Sequence, residues 1–319
     1  MLRLYDARTR RVEQIRPGHA GELRVLAVTP GGGAEPDLGE ARGWLLPDLI
    51  SRYAERRGLA ATVCEIIGPA AGPGPAVNSG PGPVPGSAAT GPVGSPGGEW
   101  GRVGAAAAPE AARSLAVRAM LNVHPPARTA PAGEPVERSA EFVSPGWAGT
   151  TPGKVPPFDI GTGDTGWLAG RQLTRYLTAP PGAVTVDGRK AGADGVRVPS
   201  VAEVAARGLD PLAARLIFLG RRYRDDLDLS WEGLFAAGKT LLRWREHVAA
   251  WALSPSAPIA RRYADAISAA FEDDLDIPAA LGELHALEGD AGVPDGAKFE
   301  TFAAMDRLFG LDLVRDVGR

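Results

Sequence analysis

The chain is poor in the residue types that usually carry chemistry. Cys64 is the one cysteine among 319 residues, which excludes an internal disulfide and any site built from several thiolates. His19, His124, His247 and His285 are the only histidines, and they are too scattered to match a metal-binding spacing. Formal net charge is −3, so there is no global basic field to hold nucleic acid. The local runs Arg221, Arg222, Arg224 and Arg261, Arg262 read as solvated helix faces. No apolar run approaches the about 20 residues that cross a bilayer, and the opening MLRLYDARTRR has no secretory apolar core. A cytoplasmic protein with no membrane association is expected.

Glycine and proline are abundant instead, at 42 and 29. They crowd residues 68–108, a stretch of Gly, Pro, Ala and Ser that cannot bury enough apolar area to offset its ordering entropy. A disordered insert is expected there. Before it the chain has a compact pattern. Leu23 to Thr29 reads as a buried strand, Pro30 to Gly33 as a loop, and Leu38 to about Arg57 as a helix burying Leu45, Leu46, Leu49, Ile50 and Tyr53. Pro47 interrupts that helix pattern, and Gly58 ends it before a second strand from Leu59 to Ile67. Strand, glycine loop, helix and strand make a βαβ unit with a parallel sheet.

After the insert, helical signal returns at Pro109 to Asn122, and Phe158 to Ile160 is a short strand. Gly161 to Gly166 then leads into a helix to about Leu177, and Ala183 to Asp187 forms a further strand. From Ser200 onward the pattern is helical throughout. Ser200 and Glu203 have capping-box spacing, Gly208 ends a short helix, and Asp210-Pro211 open the next, with Leu212, Leu216, Leu219 and Tyr223 as its stripe. A third helix opens at Ser230 and is expected to bury Trp231, Leu234, Phe235, Leu241, Leu242 and Val248. Later helices carry Ile259, Tyr263, Ile267 and Phe271 from Pro258, then Leu281, Leu284 and Leu287 behind the Asp276 cap, then Phe299, Phe302, Met305 and Phe309. Residues 1–199 and 200–319 are therefore expected to form an α/β domain and a helical domain.

Two glycine motifs need weighing. Gly233 to Thr240 matches the phosphate-loop pattern, but it lies inside a helix with no strand before it, so Gly238 reads as a packing glycine. Gly161-x-Gly163-x-x-Gly166 matches the dinucleotide fingerprint, with a strand before it and Asp187 about 20 residues on. Asp37, Glu40, Asp159 and Asp164 lie near strand ends, where α/β sites form, and each alone reads as a cap or loop acid.

Val186 to Leu234 resembles the segment of cysteinyl-tRNA synthetases, and of the related mycothiol cysteine ligases, that joins the catalytic domain to the helical domain. LRLYDARTRRVE at the N-terminus, Leu38-Gly39-Glu40-Ala41-Arg42, LNVHPP at 121–126, FDI with its glycine loop at 158–166, VDGRK at 186–190 and FEDDLDIPAAL at 271–281 extend the likeness. It implies an α/β fold: a Rossmann-like class I synthetase catalytic domain followed by an all-α helical bundle. It also implies ATP-dependent formation of an aminoacyl-adenylate, with a zinc ion selecting cysteine by its soft sulfur.

The motif positions depart from that pattern. The two histidines of the first motif fall on Asp37 and Glu40, and only Gly39 is kept. In the second motif Lys190 remains, and the second lysine falls on Ala193. One zinc cysteine falls at about Val28, and the later metal-binding segment falls on about Arg171 to Arg175, with no ligand type among them. The family's basic anticodon-reading part is expected to be absent, since the helical region runs only to Arg319. Loss of one transition-state donor costs about 10²–10³ in rate. An impaired or inactive ligase is therefore expected, with no zinc and no tRNA binding. Gly39, Gly163 and Lys190 would line a remnant ATP pocket. The alternatives are a non-catalytic protein acting through a protein partner, or a dinucleotide-binding enzyme at Gly161 to Gly166.

Overall fold

The computed structural model describes residues 1–18, 21–31, 36–70, 116–126, 128–131, 158–163, 174–178, 181–190 and 195–319. Its organising element is a five-stranded parallel sheet. Strands β3 (Glu22–Gly31), β4 (Ala60–Ala70), β5 (Arg128–Pro131), β6 (Phe158–Gly163) and β7 (Thr174–Leu177) lie in the order β5-β4-β3-β6-β7. The first strand is central and the order reverses at its two flanks, the arrangement of a Rossmann-type half, which leaves a crevice at the carboxyl ends of β3 and β6. Val25 and Leu26 of β3 and Ile160 of β6 are completely buried, as expected where helices cover a parallel sheet. An antiparallel hairpin of β1 (Arg3–Asp6) and β2 (Arg11–Gln14) precedes this sheet.

The helix read as continuous from Leu38 to Arg57 is two helices. α1 (Leu38–Gly43) ends at Trp44, and α2 (Leu45–Arg56) begins there, with Pro47 in its first turn. Proline has no N–H to give the preceding turn and its ring crowds the carbonyl four residues back, so the helix restarts where those N–H groups are unpaired anyway. The helix read up to Leu177 is also corrected, because Thr174 to Leu177 pair with β6 as a strand. Of the insert, residues 68–70 continue β4, while 71–108 lie outside the described residues, as do 109–115 of the helix read from Pro109.

A second sheet corrects the all-helical reading of the C-terminal part. Strand β8 (Val184–Val186) pairs antiparallel with β9 (Arg189–Lys190) through the two-residue turn Asp187-Gly188, and parallel with β10 (Leu227–Leu229). Asp187 and Gly188 both have positive φ, at 49° and 73°, as the commonest two-residue hairpin turn demands.

The rest of this part is helical: α3 (Val201–Ala206), α4 (Leu212–Leu219), α5 (Trp231–Trp251), α6 (Arg261–Glu272), α7 (Ile277–Gly289) and α8 (Asp295–Phe309). The caps read from sequence are present: Ser200 and Glu203 form a reciprocal capping box, and Ser230 and Asp276 accept from the starts of α5 and α7. The phosphate-loop match lies within α5. A Cβ on Gly238 would sit 3.1 Å from Leu209 Cδ2, so this glycine allows α5 to approach the turn before α4. Trp244, Phe302, Phe309 and Ile267 are completely buried in one apolar core that continues into the α/β part through Leu38, Leu49 and Val201. Phe235 and Leu242, expected in that core, are exposed, and Trp231 is only half-buried.

Candidate functional site

The three candidate binding residues lie on α1, at the end of β6 and on the hairpin of the second sheet. β3 leads toward α1, whose first turn holds Gly39. Gly163 ends β6 beside Val28 of β3. Gly39 also faces the second sheet, since a Cβ there would lie 4.0 Å from Val184 of β8. Lys190 is opposite Thr185 on the same hairpin and is exposed. Residues 191–194, including the Ala193 position, lie outside the described residues.

The start of α1 decides what this site can hold. A free helix N-terminus offers unpaired N–H groups and a positive dipole end to phosphate. Here Asp37 supplies its own anion. Its Oδ1 accepts from the N–H of Gly39 at 2.8 Å and of Glu40 at 2.9 Å, and Glu40 Oε2 accepts from the N–H of Asp37 at 3.1 Å. The two acids thus form a reciprocal capping box on the first donors of α1. Burial pushes the Glu40 carboxyl up to about 7; its bond from Asp37 N–H opposes that rise and the Asp37 charge adds to it. The capped turn is held against α3: Leu38 N–H donates to Pro199 O at 2.9 Å, and Asp37 bridges to Ser200.

Arg42, whose role the sequence did not disclose, ties the same helix to the second sheet. Its buried guanidinium donates to Gly182 O at 2.8 Å, Ala183 O at 3.4 Å, Arg222 O at 3.3 Å and Asp225 O. Burial holds its pKa below the ordinary arginine value, against the opposing charges of Asp226 and Asp225. Gly182 is required where it stands, because a Cβ would fall 2.0 Å from Asp225 O. One side chain therefore ties α1 to the segments that lead into β8 and β10.

Behind α1 lies a buried ionic cluster. Asp48 Oδ2 accepts from Arg215 at 2.6 Å and Arg52 at 2.9 Å, and Oδ1 accepts from His124 N–H at 2.9 Å. Burial alone would raise the Asp48 carboxyl, but Arg215, His124 and Arg52 hold it far below the usual carboxylate range. Arg215 also donates to Phe309 O at 2.7 Å and to Leu121 O at 3.2 Å. The cluster joins α2, the 121–126 segment, α4 and the end of α8. Its i, i+4 pair Asp48–Arg52 was visible in the sequence, whereas Arg215 is 167 residues from Asp48. His124, read as a loop residue, has Nδ1 2.8 Å from Asp48 and belongs to this structural cluster.

Other candidates have structural roles. Asp159 is completely buried and accepts from Arg24 N–H at 3.0 Å and Arg175 at 3.3 Å. Asp164 and Gly166 lie outside the described residues. Gly161 and Gly163 are inside strand β6, with Gly161 O accepting from Thr178 N–H and Oγ1, so they do not form the tight turn a dinucleotide fingerprint needs. Asp187 sits in the hairpin turn of the other sheet. Arg222 and Arg224, read as a solvated face, pair with Asp276 and Asp274. The zinc that the resemblance implies does not fit: Val28 is a buried apolar residue and Arg175 pairs with Asp159. Among the described residues no three His, Cys, Asp or Glu side chains converge for a metal. No helix among the described residues is long and apolar enough to cross a membrane.

The fold defines a class first: a parallel α/β sheet joined to a helical region. Sequence likeness then narrows it. The chain is 30% identical over 164 residues to the L-cysteine:1D-myo-inositol 2-amino-2-deoxy-alpha-D-glucopyranoside ligase of Streptomyces griseus, covering 50% of this chain and 39% of the relative. The ligase of the same name from Saccharomonospora viridis is 34% identical over 139 residues, covering 41% of this chain and 32% of the relative. The chain thus spans about two-fifths or less of the length of these ligases. Among solved structures, a putative arginyl-tRNA synthetase from Campylobacter jejuni aligns over 93% of each chain, with a TM-score of 0.47 and 12% identity. The Thermus thermophilus arginyl-tRNA synthetase aligns over 97% of this chain and 84% of its own, with a TM-score of 0.42 and 14% identity. No family model matches the chain. Over about half of its length the chain is thus similar in sequence to these cysteine ligases.

Proposed function

We propose that this chain keeps the scaffold of a cysteine ligase but does not form an aminoacyl-adenylate by the route its relatives' class uses. The carrying observation is the capping box at α1, where Asp37 and Glu40 occupy the backbone donors of the helix start. A triphosphate brought there would meet two acids where its charge needs donors or cations. At about 4 Å a full unit-charge contact costs roughly 4 kcal/mol at an effective dielectric of 20, and Glu40 contributes in proportion to its ionised fraction. Gly39, Gly163 and Lys190 would still border a remnant pocket, with Lys190 a cation at its hairpin. ATP binding at this pocket would be weak. Pyrophosphate exchange with ATP across all twenty amino acids, with and without zinc, tests the reading. No exchange above a protein-free blank is expected, and exchange stimulated by any amino acid would overturn it.

A further inference from the structure

The long helix α5 is apolar on more of its circumference than its own molecule covers. Leu234, Leu241, Trp244, Val248 and Trp251 are buried against the bundle. Phe235 and Leu242, seven residues apart and so on one ridge, are 42% and 55% exposed, and Leu253 just beyond the helix is 90% exposed. Single exposed apolar residues are ordinary, but a ridge of them along one helix is the pattern of a helix seam. Lys239 and Glu246 stand on the same ridge at the i+4 and i+11 positions from Phe235, and both are exposed. Neither makes an ion pair among the described residues, whereas neighbouring Arg243 is bound at 2.9 and 3.2 Å to Glu288.

We propose that this ridge pairs with the same ridge of a second copy, antiparallel, around a two-fold axis beside Leu242. With Leu242 opposite Arg243 of the second copy, Lys239 falls opposite Glu246 of the second copy, and symmetry repeats the pair. Phe235 then meets the small Ala250 of the second copy, and Leu253 lies against the first turn of the second copy's helix. An isologous interface requires such self-complementarity, because each residue's partner has its own counterpart across the axis. A parallel pairing would place Lys239 beside Lys239 and lose both ion pairs. At 21 residues α5 is about 31 Å long, so the seam falls in the small-interface class, below about 1,200 Å² in total. A reversible dimer in the micromolar range is the corresponding affinity.

Sedimentation equilibrium of the full chain, from about 1 µM to about 500 µM, reads this directly by bracketing that affinity. The expected result is a weight-average mass rising from 33.1 kDa toward twice that value. Lys239→Glu and Glu246→Lys should each weaken association at least about tenfold, and the double variant should restore it, since the pairs reform with reversed sign. Leu242→Asp should remain monomeric. All these positions are exposed, so an unchanged far-ultraviolet spectrum checks that each variant is folded. A wild-type chain monomeric throughout, as it would be if a different protein covers the ridge, overturns the proposal. So does a dimer that the single charge reversals leave intact.

Discussion

At the scale of single residues, two acids with opposite electrostatics frame the candidate site. The Glu40 carboxyl has been pushed up to about 7 by burial, from an ordinary value of 4.5. A carboxyl whose folded pKa is raised favours the folded state while it is protonated. Its contribution is complete below about 4.5 and is lost as pH rises through about 7. Glu40→Gln should therefore flatten the fall in melting temperature between about pH 5 and 7, measured by calorimetry against wild type. Asp48 is the reverse case, a buried carboxylate kept charged by Arg215 and Arg52. Removing one partner of such a group leaves the others buried and unpaired. Asp48→Ala should cost about 3–5 kcal/mol in urea unfolding. A loss near zero would mean that the guanidinium groups find other acceptors.

At the scale of elements, local chemistry was legible and long-range pairing was not. The Ser200–Glu203 box, the Ser230 and Asp276 caps and the buried strand β3 follow from signals within a few residues, and each is where the sequence put it. β10 and β7 were missed because three- and four-residue strands have no period of their own. Leu227 to Leu229 become a strand only by pairing with Val184 to Val186, some 43 residues earlier. Leu242 misled for a related reason: it has the spacing of a core residue on a helix whose core lies on an adjoining face. Arg42 was silent in the sequence because its partners are backbone carbonyls, which carry no residue identity. That clamp makes a prediction at its own scale. Arg42→Met should lower stability by roughly 2–3 kcal/mol, since a charged donor to several buried carbonyls is lost. It should also raise amide exchange in residues 182–190, while exchange within α8 stays unchanged. Equal loosening of both regions would show that Arg42 supports the whole fold and not this one junction.

At the scale of the whole molecule, a parallel α/β sheet and its helices are kept while the start of α1 is turned inward on itself. The parallel sheet, the hairpin bearing Lys190 and the α3–α4 junction are all in place, and the residues expected to meet ATP at α1 are occupied with each other. The substitution could be seen in the sequence as two acids at motif positions, but their reciprocal capping needed coordinates: sequence spacing cannot say whether Asp37 faces a ligand or its own backbone. Calorimetric titration of ATP into the wild-type chain and into the Asp37→Asn/Glu40→Gln double variant tests this most directly. Asparagine caps a helix about as well as aspartate, so the variant keeps the turn and loses only the charges. The account predicts that the variant binds ATP at least about tenfold more tightly than wild type, a modest share of the repulsion that is removed. Equal affinities, or wild-type binding in the micromolar range, would contradict it.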